Sequence, residues 1–281
     1  MSKPLALLGL CALSFVIAAA TPSTLPAKEG SDAIASAGGF DHSYALWDGV
    51  LRKHVTAKGM VNYKAIQTES EALDIFLAEV AGISAEEVGG WTRERQVAFY
   101  INAYNALTFK TILEALPVAS IRDIKPDPWE DARWTVAGRS VSLNWLEHTK
   151  LRGRFGEARV HFVLVCAAIG CPRLPNRAIL PAGLDAQLDA ATKAFFVDPG
   201  KNRVDVGGDK VYLSRIMEWY GDDFVGWKGT PPGPTLDGRT PKEVSAVRLL
   251  GKFVSVEDQD FLAQNAFTVV FNDYDWSLNS Q

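Results

Sequence analysis

Strands interleaved with helices, but not in strict alternation, predict an α+β domain built on a mostly antiparallel sheet, with a central buried helix. Three observations carry that expectation. Residues 92–117 hold a helical run whose apolar side chains occupy most of the circumference, so this helix belongs inside the molecule. Short β-branched and aromatic runs bounded by glycine turns supply the strands. The length left after an N-terminal leader and linker, residues 40–281, suits a single domain.

The leader is read from Lys3, the apolar run Pro4 to Ala20, and the small residues Ala18-Ala19-Ala20 before Thr21, the three parts of a secretory signal peptide. Residues 1–20 are therefore expected to be removed on export, which places the mature protein in the periplasm or outside the cell and takes Cys11 with the leader. Residues 21–39 are small and polar and read as a flexible linker. The whole chain carries a formal charge of −4, and loss of Lys3 makes the mature charge about −5. No basic patch points to nucleic acid or an anionic membrane, and no membrane span is expected once the leader is gone. A small molecule or a peptide is the expected partner.

The elements follow in order. Tyr44, Leu46, Trp47, Val50 and Leu51 fall at helical spacing between Phe40 and His54, and a second helix spans Ser70 to Val80. Thr92 is the N-cap expected for the long helix, which Pro117 cannot continue. Trp134 to Val141 alternates around Ala137-Gly138 as a hairpin, and Asn144-Trp145-Leu146-Glu147 has the form of a capping box. Val160 to Val165 reads as a buried strand, Leu184 to Phe196 as an amphipathic helix, and Lys201 to Leu213 as a hairpin turning at Gly207-Gly208. Ser214 opens a helix rich in aromatic and acidic residues, and Val269, Val270 and Phe271 close the chain with a buried strand.

Candidate chemistry concentrates in VHFVLVCAAIGCPRLP, residues 160–175, where His161, Cys166 and Cys171 share one apolar segment. Thiol catalysis needs a thiolate, a base within reach and a group that orients the base. Free cysteine is also a common buried residue with no function, and the Cys166–Cys171 spacing in an exported chain permits a disulfide. On a regular strand His161 and Cys166 would face opposite sides, so they meet only if the strand bends or ends before Cys166. Otherwise Cys166 would take His148 as partner, with Glu147 nearby. Asn102, Tyr104 and Asn105 lie mid-helix, where a buried amide without partners costs about 1–3 kcal/mol. They are expected either to stitch the helix to a neighbouring strand or to orient an imidazole. The four histidines form no recognisable zinc spacing, and no metal or other cofactor is implied.

The ordered motifs AFYINAYNALT, LNWLEHTKLR, ARVHFVLVCAAIGCPRL, VYLSRIMEWYGDDF and YDWSLN resemble the bacterial members of the family called domain of unknown function 547, from about Phe40 to Asn279. That family is similar to the papain-like cysteine peptidase grouping, which implies a papain-like or transglutaminase-like core and a thiol–imidazole site. Papain-like enzymes carry the nucleophile at the start of the central helix, where this chain has no cysteine. The resemblance thus implies a thiol-dependent amide hydrolase or transferase acting on a peptide or γ-glutamyl-type substrate. Cys166 would be nucleophile, His161 base, Asn102 or Asn105 the orienting group, and Tyr104, Glu147 and His148 the lining. The alternative is a non-catalytic module binding a small thiol or peptide in envelope stress.

Overall fold

The computed structural model describes residues 39–281; the expected leader and nearly all of the linker lie outside the described residues. Helices α1 (Ala45–His54), α2 (Tyr63–Thr68), α3 (Glu71–Gly82) and α4 (Ala85–Gly89) precede the 23-residue α5 (Arg93–Ala115). Thr92 caps α5 by accepting the Arg95 N–H, as its position in the sequence requires. Seventeen residues of α5 are buried, because α1, α2, α3 and a later helical turn surround it. Trp47, Tyr63 and Phe109 interlock edge-to-face at ring separations of 5.1 and 5.4 Å within this cluster.

The architecture is α+β, but the sheets are small. Strands β1 (Trp134–Val136) and β2 (Arg139–Val141) form the expected hairpin, with Ala137 and Gly138 both at positive φ. Helix α6 (Leu184–Phe196) follows, then β3 (Arg203–Asp205) and β4 (Lys210–Leu213), paired antiparallel. After α7 (Arg215–Tyr220), α8 (Pro241–Gly251) and α9 (Val256–Gln264), the last strand β5 (Thr268–Phe271) pairs parallel to β4, with Val211 opposite Val269. The central helix is therefore not backed by a sheet. A 23-residue helix is about 35 Å long, whereas strands of three or four residues span only about 10–14 Å, so helices must cover it. The three-stranded sheet packs in a second apolar cluster with Phe196, Met217, Phe224 and Leu250.

Two local expectations are corrected. Residues Val160 to Val165 form no strand: Ala158–Phe162 winds as a 3-10 turn, and Val163 and Leu164 both donate back to Val160 O. Glu157 and the ion pairs of Arg159 with Glu157, Asp185 and Asp189 hold that turn against α6. A short β-branched run does not by itself distinguish a strand from a buried turn. Asn144 makes no capping box either. Its side chain donates to Glu130 Oε1 (2.5 Å), and Trp145–Arg154 winds as a π-helix, a form common at functional sites.

Candidate functional site

The π-helix, the segment after the 3-10 turn, α7 and the C-terminal tail converge on a pocket of about 330 Å³. Tyr104, Glu147, His161, Cys166 and Cys171 line it, joined by Trp129, Trp219, Tyr220, Tyr274 and Trp276.

Asn102 and Asn105 build the frame. Asn105 donates to Val163 O (3.0 Å) and accepts from Val165 N–H (3.1 Å); Asn102 donates to Ile179 O (2.7 Å) and accepts from Ile179 N–H (3.0 Å). Each amide thus stands in for a neighbouring strand, satisfying backbone groups that would otherwise be orphaned in the core. Their bonds go to the backbone rather than to the imidazole: Asn105 positions the segment that leads into Cys166, and Asn102 holds Ile179.

After Cys166 the chain turns through Ala167, held at φ 57° by a hydrogen bond from Asn279 N–H to its carbonyl (3.0 Å). Ile169 and Gly170 donate to Ser277 O and Asp275 O, so the tail lies along the cysteine loop. Buried Asn279 anchors that tail by accepting from the Tyr63 hydroxyl (2.9 Å). Tyr274 then reaches both sulfurs, at 3.0 Å from Cys166 Sγ and 3.2 Å from Cys171 Sγ. A methyl group on Gly170 would meet the Tyr274 ring at 2.8 Å, so only glycine admits the ring here.

Both cysteines are free thiols, Cys171 buried and Cys166 partly exposed. The Cys166 N–H also donates to Cys171 Sγ (3.0 Å). Burial pushes the Cys171 thiol up, but the Cys166 thiol, the Tyr274 hydroxyl and nearby backbone N–H groups outweigh that and lower it to about 7. The Cys166 thiol is pushed up by its hydrogen bond to Cys171, then by burial. The two behave as one acid pair whose first proton leaves easily and whose second does not.

The imidazole belongs to a different network. His161 Nε2–H donates to Asp223 Oδ2 (2.7 Å), and Nδ1 lies 3.9 Å from Glu147 Oε1. The ring stacks on Tyr220 at 4.1 Å. Arg152 holds Asp223 from the other side in a two-pronged contact of 2.6 and 3.0 Å. Burial alone would raise the Asp223 carboxyl; the hydrogen bonds from His161 and Arg152 hold it well below the usual carboxylate range. Among the described residues no hydrogen bond joins Cys166 to His161 or His148. His148 is exposed, leans on Arg152 and does not line the pocket, whereas Glu147 does and accepts from Tyr104 (3.3 Å).

Sequence reasoning brought Cys166, Cys171, His161, Glu147 and Tyr104 to one site. It assigned no role to Asp223, Tyr220, Tyr274, Trp219 or Trp276, although the runs IMEWYGDDF and YDWSLN carried the signal in their density of aromatic and acidic residues.

Fold and site together define an α+β protein with an aromatic pocket built around two thiols. Residues 88–196 match the family model described as "Protein of unknown function, DUF547". The match supports the resemblance over less than half of the chain: it includes α5, the π-helix, both cysteines and α6, and stops before α7 and the tail. The comparisons with curated proteins and with solved structures found no match.

Proposed function

We propose that this pocket performs thiol-dependent acyl chemistry on a small amide, hydrolysis or transfer, with Cys166 as nucleophile. The observation that carries the reading is the thiol pair: Cys166, a half-buried residue lining the pocket, beside buried Cys171, whose pKa is lowered to about 7. Cys171 thiolate takes the Cys166 proton as Cys166 Sγ bonds to the carbonyl carbon. The C–N bond then breaks, and the departing amine carries that proton away. Water or a second amine releases the acyl group and returns the Cys166 thiol. This role for Cys171 replaces the imidazole base of papain-like enzymes, to which kinship is part of the proposal. His161, held by Asp223, faces Glu147 across the pocket and orients the substrate. The leader-like residues 1–20 support an exported protein.

A binding module for a small thiol or peptide is the second reading, favoured by one observation: both ring nitrogens of His161 face carboxylates rather than Cys166. Reduced protein is incubated with γ-glutamyl and aminoacyl arylamides and followed by arylamine release and intact mass, beside Cys166→Ser. Arylamine release with an acyl adduct on Cys166, lost in Cys166→Ser, is the expected result. Ligand binding without release, unchanged in Cys166→Ser, selects the binding module.

A further inference from the structure

We propose that the pocket recognises its ligand through a cationic group, a protonated amine seated between Glu147 and the indole of Trp219. The inference rests on the pocket being the ligand site and not on thiol chemistry.

The charge balance is one-sided. Glu147 and Asp127 line the pocket, while no lysine or arginine is among the described lining residues. Of the cations beside it, Arg152 is spent on Asp223, Lys201 Nζ donates to Ile169 O, and Arg122 lies over the Trp276 ring. Glu147 is only 6% exposed and poorly served. Among the described residues its hydrogen-bond donors are two tyrosine hydroxyls, Tyr104 in a long contact (3.3 Å) and Tyr220, and Oε1 lies 3.9 Å from His161 Nδ1, outside hydrogen-bond range. A buried carboxylate with spare acceptor capacity facing a cavity favours a ligand that brings charge and N–H donors.

The walls have matching chemistry. Trp219 and Trp276 stack at 5.8 Å, Tyr274 closes on Trp276 at 4.6 Å, and Trp129 meets it edge-on at 6.0 Å. Burial holds the Tyr104, Tyr220 and Tyr274 hydroxyls above their ordinary value, so these rings stay neutral and offer electron-rich faces. Trp276 already carries the Arg122 guanidinium 5.0 Å from its ring, and Trp219 is 43% exposed with no such partner among the described residues. An indole face in the same pocket as a carboxylate is a combination that attracts ammonium ions.

Calorimetric titration of the reduced protein at pH 7 with benzylammonium, benzyl alcohol and benzoate separates charge from shape. Benzylammonium should bind at least about tenfold tighter than benzyl alcohol, with benzoate weakest. Glu147→Gln should erase that preference while leaving benzyl alcohol affinity in place, and Trp219→Ala, at an exposed position, should weaken benzylammonium severalfold even if Glu147→Gln fails to fold. Equal affinities, tighter benzoate, or no binding of any probe overturns the proposal. Cys166→Ala, run in parallel, should keep the preference. A preference without any acyl adduct on Cys166 defeats the thiol reading alone, and an adduct without a preference defeats this one alone.

Discussion

Replacing Asn105 with leucine removes both bonds that its amide makes to the segment leading into Cys166, and the structure sets the size of the effect. Val163 O and Val165 N–H lose partners at 3.0 and 3.1 Å, in a place where neither reaches solvent: Val163 is 0% and Val165 1% exposed. Each unpaired buried backbone group costs about 1–3 kcal/mol, so the gross penalty is about 2–6 kcal/mol. Leucine, close to asparagine in size, offsets part of this by adding apolar contact in the core, leaving a net loss of about 3 kcal/mol. In a domain of this length that lowers Tm by about 6–12 °C. Urea denaturation and thermal scans measure it, with far-ultraviolet circular dichroism to show that the helices persist. A second consequence separates positioning from simple destabilisation: Val165 is held directly before Cys166, so the Cys166 alkylation rate should change under conditions where the variant is still fully folded. A loss below about 0.5 kcal/mol, the range of ordinary surface substitutions, would refute the reasoning.

Three further outcomes are expected. Asp223 has a folded-state pKa depressed below its unfolded value, so its contribution to stability is complete above the ordinary carboxylate pKa of about 4 and is lost as pH falls from there. Urea midpoints against pH should therefore be flatter below about pH 4 for Asp223→Asn than for the wild type, with the variant less stable at neutral pH; parallel curves would exclude the ion-pair explanation. Gly170→Ala should cost about 1–3 kcal/mol and displace Tyr274 from the sulfurs, because three atoms of its ring lie within 2.9 Å of the added carbon. Unchanged stability would show that the tail gives way freely. The ultraviolet thiolate absorbance of the reduced protein should rise with pH through about 7, and Cys166→Ala should move that midpoint upward, because the Cys166 thiol is one of the donors that hold the Cys171 thiolate down; a midpoint that stays put would mean the two thiols do not share a proton.

What was legible in the sequence, and what was not, divides according to where the bonds go. The α5 start, the two hairpin turns and α6 could be read because their signals are local: the Thr92 cap, Ala137-Gly138, Gly207-Gly208, and an apolar stripe from Leu184 to Phe196. Asn102 and Asn105 announced a demand, two buried amides needing partners, and the structure meets it. Their conformational consequence was hidden, since a side-chain amide that pairs with the backbone removes the need for a neighbouring strand, and Val160 to Val165 could leave the sheet without orphaned groups. The same logic governs the site. His161, Cys166 and Cys171 lie within eleven residues and could be gathered by eye, but their chemistry is decided by Asp223 and Tyr274, 62 and 108 positions beyond His161 and Cys166. Proximity in sequence joined an imidazole to a thiol; the fold instead gives the imidazole a carboxylate and gives the thiol a second thiol and a phenol. Under the thiol chemistry proposed above, the base for Cys166 would be Cys171, the thiol that shares its proton. The proton inventory of this pocket therefore runs along the tail-to-loop contact, and any change that frees Tyr274–Asn279 from residues 167–170 should alter thiol acidity before it alters the position of His161.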